Sequence, residues 1–197
     1  MNTTEALIQA LIADGWTRPG EHRAAGAGEP GPELTSRDGL LTTSVLAAQE
    51  GCSLLLTAKT VRRPETRRHG WQAQLDAVPL PVALAAITAA GEDPAVSPGP
   101  STEVLLAAAG WHEQPDDEPD DEDGDGEGVF EFYNSLDGGP LYRAWASPDG
   151  TGHVEWFGPD NDPAFWSIKR ATSERGNWAR LTHHAPAAVI AALALSD

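Results

Sequence analysis

Cysteine and basic residues are scarce in this sequence of 197 residues. Its single cysteine, Cys52, excludes an internal disulfide, and one thiol cannot bind zinc without ligands of other types. Lys and Arg number 13 against 30 Asp and Glu, which gives a formal net charge of -17. Direct nucleic-acid binding is therefore disfavoured, because affinity for the phosphate backbone comes mainly from basic side chains.

Long apolar runs are absent as well. No run approaches the roughly 18 to 20 residues that a membrane-spanning helix needs. The segment Met1–Gln9 has no basic stretch ahead of its apolar residues, so it does not resemble a secretory signal. We therefore expect a cytoplasmic protein that makes no contact with a membrane. With 40% hydrophobic residues, the chain has enough apolar material for a core.

The acidic residues are concentrated in one segment. Ten of the 30 lie between Glu113 and Glu127, where no Lys or Arg occurs. Within this segment, residues 121–126 space their carboxylates as a calcium-binding loop does, but Glu131, which would close the loop, comes one position early. Like charges repel and bury nothing, so we predict a disordered acidic insert over residues 113–128. We expect neither a metal nor a cofactor.

Positive charge forms one cluster, in a predicted loop that precedes Trp71. The interpretation that we favour is an ordinary solvated loop. Two alternatives stay open, namely pairing with the acidic insert and contact with a phosphate or another acidic surface. The residues of this cluster are Arg62, Arg63, Arg67 and Arg68.

Two short predicted helices end in the same way. The capping pattern from Asn2 to Glu5 precedes apolar residues at helical spacing and predicts a helix over residues 3–14. A glycine then stops the helix, and the following tryptophan packs back on the last turn, as in a Schellman ending. Residues 101–109 predict a second helix with this ending. The matching residues are Leu11, Gly15 and Trp16 in the first helix and Leu106, Gly110 and Trp111 in the second.

A second pattern also occurs twice: a tryptophan, then a proline, then an Ala-rich apolar run that predicts a helix. Proline suits the first turn of a helix. Both predicted helices are apolar nearly all round, which indicates burial on more than one side. The residues are Trp71, Pro79 or Pro81, and helix 81–90 in the first occurrence, and Trp178, Pro186 and helix 186–195 in the second.

Between these helices, the sequence predicts two antiparallel meanders. The stretch from Gly51 to Trp71 is shorter than the stretch from Gly150 to Trp178, so we predict that the first copy has lost or shortened a strand. The predicted strands are 33–37, 40–48, 52–61 and 71–75 in the first meander, and 129–134, 141–147, 152–157, 164–172 and 178–182 in the second.

These patterns predict two tandem copies of one unit. Residues 1–91 form the first copy, 92–100 a Pro-rich linker, and 101–197 the second copy. Each copy has the order helix, antiparallel sheet, helix, which is an α+β fold with one sheet face covered by helices. We expect the copies to pack as a pseudo-symmetric pair, with the Ala-rich helices near a shared core.

The combination of motifs resembles a known family. The motifs are Gly-Trp after a short helix, the turn Ser147–Gly150, Trp166-Ser-Ile, Trp178-Ala-x-Leu, and the Ala-rich run from Pro186. Together they resemble the small domain of unknown function numbered three hundred and seventeen, common in high-GC Gram-positive bacteria. The resemblance covers most of residues 101–195 and, more weakly, 4–90, where Gln49-Glu-Gly replaces Pro-Asp-Gly. It implies an architecture and a role as a binding module, and no catalytic residue.

The residues that define the repeat are structural in this interpretation. They are Gly15, Trp16, Trp71, Gly110, Trp111, Pro148, Asp149, Gly150, Trp166, Trp178 and Pro186.

Residues capable of catalysis are scattered. Cys52 has no neighbour in sequence that would lower its pKa, so we predict a structural thiol. The adjacent His183 and His184 point in different directions in a strand, which disfavours a shared metal. No nucleophile motif occurs. We therefore predict no enzyme, an expectation that would weaken if His153, His183 or His184 lined one cleft with Asp160 or Asp162.

The prediction that remains is a non-enzymatic protein-binding or regulatory module with an unidentified protein partner and an open oligomeric state. Trp145 and Trp156 flank a predicted hairpin, and with Tyr142 and Phe157 they would form a protein-binding patch if exposed, although core packing is favoured. The alternative is an acidic decoy, in which residues 113–127 imitate nucleic-acid charge and engage a basic partner. Possible interaction residues are Arg62, Arg63, Arg67, Arg68, Trp145 and Trp156.

Overall fold

The computed structural model describes residues 2–19, 32–46, 48, 51–62, 67–92, 100–114, 142–158, 164–170 and 177–196. The helices in this part of the chain are α1 (Thr3–Ala13), α2 (Leu80–Gly91), α3 (Thr102–Ala108) and α4 (Ala187–Leu195). The strands are β1 (Glu33–Thr35), β2 (Leu41–Leu46), β3 (Cys52–Ala58), β4 (Val61–Arg62), β5 (Arg67–Arg68), β6 (Trp71–Val78), β7 (His112–Gln114), β8 (Tyr142–Ala146), β9 (Gly152–Phe157), β10 (Phe165–Arg170) and β11 (Asn177–Thr182).

Nine of the described strands form one antiparallel sheet, in the order β1-β2-β3-β6-β11-β10-β9-β8-β7. The other two strands, β4 and β5, pair with each other as a short hairpin. β6 and β11 are the neighbours that join the first half of the chain to the second. The predicted α+β class is confirmed.

The helices pack on one face of this sheet. α1 and α2 contact β3, α4 contacts β9 and β10, and α3 contacts α4. Side chains alternate accordingly: in β6, Trp71, Ala73 and Leu75 are buried, whereas the residues between them are exposed. We call the face opposite to the described helices the open face.

Both short helices end as the sequence predicts. The backbone N–H of Trp16 donates to the carbonyl of Leu11, and the N–H of Trp111 donates to the carbonyl of Leu106, both at 3.0 Å. The glycines before these tryptophans have φ angles of 90° and 81°, a region that glycine adopts without steric cost. The predicted Schellman endings are confirmed.

The two Ala-rich helices, α2 and α4, pack against each other. Ala83 and Ala86 of α2 and Ala194 of α4 are fully buried. Their small side chains leave room for the helix backbones to approach each other closely. One hydrophobic core contains residues of both halves of the chain.

Some predicted boundaries were wrong. The predicted loop after Val61 contains the β4–β5 hairpin, in which Val61 pairs with Arg68 and Arg62 with Arg67. Glu113 and Gln114, which we assigned to the acidic insert, belong to β7. A three-residue polar strand has neither the length nor the alternation that identifies a strand in sequence. Residues 115–128, the predicted strand 129–134 and linker residues 93–99 lie outside the described residues.

Among the helices that the structure describes, none has the length and hydrophobicity to cross a membrane.

Candidate functional site

Three aromatic side chains from neighbouring strands lie side by side on the open face. Tyr142 of β8 is opposite Phe157 of β9, which is opposite Phe165 of β10. The ring centres of Tyr142 and Phe157 are 5.3 Å apart, and those of Phe157 and Phe165 are 4.4 Å apart in a stacked arrangement. These distances are typical of favourable aromatic pairs. We call these three residues the aromatic row.

Arg180 extends the aromatic row onto the next strand, β11. Its guanidinium carbon lies 3.8 Å from the centre of the Phe165 ring, which is a cation–π contact. Arg180 is exposed, and all three rings of the row are half-buried. The row and this arginine therefore give the open face an amphipathic strip across four strands, a composition that protein-binding surfaces favour.

Polar side chains also lie on the open face, in the middle of the sheet. Lys169 of β10 forms an ion pair with Glu155 of β9, with 3.2 Å between Nζ and Oε2. On β6, Gln72, Gln74 and Asp76 are exposed. The apolar strip therefore has polar side chains beside it, as the core of an interface has in its rim.

The predicted interaction residues Trp145 and Trp156 lie on the other face of the sheet. Trp145 is only 3% exposed and its ring centre is 6.0 Å from that of Trp166. Trp156 is half-buried, with its ring centre 4.8 Å from Trp166. The three tryptophans form part of the core and its margin, as the favoured interpretation had it. Tyr142 and Phe157 are therefore separated from them by the thickness of the sheet.

The sequence named two members of the aromatic row, Tyr142 and Phe157, but grouped them with the wrong partners. No local pattern in the sequence indicates Phe165 or Arg180. The signal that could have found them is strand register: Phe165 is directly opposite Phe157 and Thr182, which places it on the same face as Arg180, two positions before Thr182.

Arg143 of β8 forms hydrogen bonds with two acidic residues near the edge of the sheet, on the face that the helices cover. Its Nε donates to Glu113 at 2.6 Å and its Nη1 donates to Glu103 at 3.1 Å. The hydrogen bonds from Arg143 lower the pKa of Glu113. The guanidinium also lies over the Trp145 ring, 4.8 Å from its centre. One carboxylate of the acidic run is therefore engaged within the fold.

Three histidines meet at the end of the sheet where the aromatic row lies. His69 stacks on His184 with ring centres 4.3 Å apart, and the rings of His184 and His183 are 3.7 Å apart. All three are exposed. The pKa of His184 is lowered by partial burial and then by the positive charges of His183 and His69. We call these residues the histidine cluster.

The basic residues of the predicted loop lie beside this cluster along the chain. Arg67 and Arg68 form β5, immediately before His69, and Arg62 is opposite Arg67 on β4. Arg63 lies outside the described residues.

The remaining candidates for chemistry are kept apart. Cys52 is fully buried, and burial raises the pKa of its thiol, which is the opposite of what a nucleophile needs. His153 is opposite Ala146 and Lys169, toward the far end of β9 from the histidine cluster. Asp160 and Asp162, and the calcium-like residues 121–126, lie outside the described residues. Within the described part of the chain, no group of three His, Cys, Asp or Glu side chains has an arrangement that could hold a metal ion, and this includes the histidine cluster.

A scan against protein-family models gives no match to this chain, and searches of curated proteins and of solved structures give none either.

Proposed function

We propose that the chain consists of two tandem copies of one α+β unit, packed as a pseudo-symmetric pair about the β6–β11 junction. The strand order supports this. From the junction outwards, β6, β3, β2 and β1 are arranged on one side as β11, β10, β9 and β8 are on the other. The edge strand β7 then corresponds to the single bridge between Thr17 and Thr35. On this proposal, the shortened strand of the first copy is its edge strand.

Two turns with the same hydrogen bonds support the duplication. In Ser36–Gly39 and Ser147–Gly150, the serine hydroxyl donates to the Asp carboxylate, at 2.7 Å and 2.5 Å. The same serine oxygens accept a backbone N–H five positions later, at 2.9 Å and 2.7 Å. The closing glycines have φ angles of 72° and 70°. On this proposal, the counterpart of Ser147–Gly150 is Ser36–Gly39 rather than Gln49–Gly51.

The last strand and helix of each unit correspond as well. Pro79 and Pro186 are both helix N-caps, with φ angles of -58° and -61°, so Pro79 is the better match. In the strands before them, Ala73 and Leu75 match Ala179 and Leu181 in spacing and burial. In this alignment, Trp178 corresponds to Gln72. Trp71, which the sequence pattern matched to Trp178, lies one position before Gln72.

Cavities at equivalent places give further support. One, of about 670 Å³, lies between the end of α1, the Ser36–Gly39 turn and the end of α2, with Trp16 in its wall. The other, of about 290 Å³, lies between the end of α3, the Ser147–Gly150 turn and the end of α4, with Trp111 in its wall. Arg170 borders the smaller cavity and donates to the carbonyl of Ser196 at 2.5 Å.

We propose that this pair of units is a non-enzymatic, cytoplasmic protein-binding or regulatory module, and that its open face binds a protein partner. The observation that carries this proposal is the aromatic row with Arg180 on the open face. Aromatic residues and arginine are enriched in the buried centres of protein interfaces, where they contribute most of the binding free energy. The membership of the family named above stays a prediction.

The test is affinity capture from a lysate of the native host, with the intact chain and with Phe165→Ser. The matched control is Val104→Ser, which replaces an apolar side chain of α3 that is 55% exposed by the same polar one. We expect a partner that the intact chain and the control both capture and that Phe165→Ser loses at least tenfold, since hot-spot truncations cost about 2 kcal/mol or more. Equal capture by all three chains would contradict the open-face proposal.

The acidic decoy is the competing function, and its supporting observation is the concentration of ten acidic residues between Glu113 and Glu127. A chain in which Asp and Glu at 116–127 are replaced by Asn and Gln separates the two proposals. A decoy loses its partner in that chain and at high salt, because its binding is electrostatic and screened. A module that binds through the open face retains its partner in both conditions.

A further inference from the structure

We propose that the histidine cluster, together with the strand positions of Arg67 and Arg68, is a pH-dependent binding surface for a carboxylate-rich peptide. The surface is separate from the aromatic row, and the inference rests on the proposed function only in taking the partner to be a protein.

The first argument is the contact among the rings. His69, His183 and His184 come from two distant parts of the chain, and their ring centres are 4.3 Å and 3.7 Å apart. Two imidazolium ions at such distances repel each other, so the neighbouring rings oppose protonation of His184. The chain nevertheless brings them together at an exposed site. An anion bound beside the rings would offset this repulsion with negative charge.

The second argument is the charge that surrounds the cluster. Partial burial is the largest cause of the lowered pKa of His184, and the positive charges of His183 and His69 lower this pKa further. Among the described residues, no carboxylate contributes to this shift. The positive charge that develops on protonation therefore has no counterion from the described part of the chain. An acidic ligand would supply it.

The third argument is the neighbouring hairpin. Arg67 and Arg68 immediately precede His69, and Arg62 is opposite Arg67 in the β4–β5 pair. The backbone thus brings arginine positions next to the cluster, while the whole chain has a net charge of -17. The acidic surface of the protein as a whole repels an acidic peptide, whereas the site at the histidine cluster attracts it. Charge complementarity of this kind produces specificity.

The sign of the pH dependence follows from linkage. An anion favours the charged form of an imidazole and raises its pKa, so binding takes up protons. Affinity therefore rises as the pH falls through the range in which His184 becomes protonated, because the pKa of His184 is lowered from the ordinary histidine value of about 6.5.

The test is a titration of the full chain with a short oligoglutamate peptide at about pH 5.5 and about pH 7.5, with the histidine ring resonances observed by NMR. We expect the dissociation constant to be about tenfold lower at the lower pH, which corresponds to the uptake of about one proton over part of this interval. The resonances of His69, His183 and His184 should move, and those of His112 and His153 should not.

Variants make the assignment specific. His184→Gln and His69→Gln should remove most of the pH dependence, and His112→Gln, at an exposed residue of β7, should leave it unchanged. Because all these histidines are solvent-accessible, the fold should be retained, and the circular dichroism spectrum checks this. The proposal is overturned if binding is equal at both pH values, if His184→Gln binds as the intact chain does, or if an oligonucleotide binds more tightly than the peptide. Its failure leaves the open-face test with Phe165→Ser unaffected, so the two proposals fail separately.

Discussion

Gln74 and Arg180 lie directly opposite each other on β6 and β11, at the middle of the nine-stranded sheet. On one side of this pair Ala73 faces Leu181, and on the other Leu75 faces Ala179. An alanine thus faces a leucine in both pairs, and the alanine comes from β6 in one pair and from β11 in the other. This reciprocal pairing is the pattern of an isologous contact about a two-fold axis. It connects the proposed duplication to the packing, because the residues that the proposal matches in the two halves are also each other's neighbours.

The matched leucines at this junction should have similar energetic roles. Leu75 and Leu181 are each 1% exposed, so replacing either by alanine leaves a cavity in the shared core. We expect Leu75→Ala and Leu181→Ala each to reduce the free energy of unfolding by about 2–5 kcal/mol. Urea denaturation followed by tryptophan fluorescence measures both. Gln74→Ala is the control, because surface changes usually lie within about 0.5 kcal/mol. If either leucine variant behaves like this control, the assignment of a shared core is wrong.

The close approach of Gly152 to Trp111 should make a methyl group costly at that position. A Cβ on Gly152 would lie 2.8 Å from the Trp111 ring and 3.3 Å from Cβ of Ser147. We expect Gly152→Ala to destabilise the protein by about 1–3 kcal/mol, as overpacking does. The matched control is Gly91→Ala in α2, where nothing lies within 4 Å and alanine favours the helix. Thermal unfolding of the two variants should shift in opposite directions, and equal shifts would contradict this account of the packing.

The hydrogen bonds of the Ser147–Gly150 turn should be detectable as a lowered pKa of Asp149. The hydroxyl of Ser147, followed by the N–H and hydroxyl of Thr151, lowers the pKa of Asp149 to about 2. Because the folded pKa is below the unfolded value of about 3.8, this group stabilises the fold above that value, and the contribution is lost as the pH falls toward 2. We expect Ser147→Ala to raise the pKa of Asp149, measured by NMR of its carboxyl carbon.

Ser44→Ala is the control for that titration, because Ser44 lies on β2, in the other half of the sheet. It should leave the titration midpoint of Asp149 unchanged. A midpoint near 4 in the unsubstituted chain would mean that these hydrogen bonds do not persist in solution.

Local signals in the sequence predicted the helices and their ends. Gly15 and Gly110 are needed where the chain takes a positive φ, and the tryptophans after them pack where a Schellman ending directs them. Most strands were found too, because alternation in β2 and β6 reflects burial on one face. These elements depend on neighbours within a few residues, which is the range that a sequence pattern covers.

The candidate site depends on contacts that no local pattern contains. Phe165 joins Phe157 through the register of β9 and β10, and His69 meets His184 across more than half of the chain. The likeness of the Ser36–Gly39 turn to Ser147–Gly150 is hard to find in the sequence because arginine stands where the other turn has proline. The hydrogen bonds come from the Ser and Asp that both turns share. Strand pairing decides which side chains become neighbours, and pairing is a property of the whole sheet.

The central claim is that the two halves meet across β6 and β11 in the register that sets Gln74 opposite Arg180, and cysteine cross-linking of the full chain tests it most directly. Residues opposite each other in an antiparallel pair have Cα atoms about 4.5–5.5 Å apart, within the range of a disulfide, whereas diagonal neighbours are about 7–8 Å apart. Gln74→Cys with Arg180→Cys should therefore form an internal disulfide on mild oxidation, identified by peptide mass spectrometry. Gln74→Cys with Thr182→Cys should not, and the native Cys52 is buried and does not compete. A disulfide in the diagonal variant, or in neither, would contradict the pseudo-symmetric pairing.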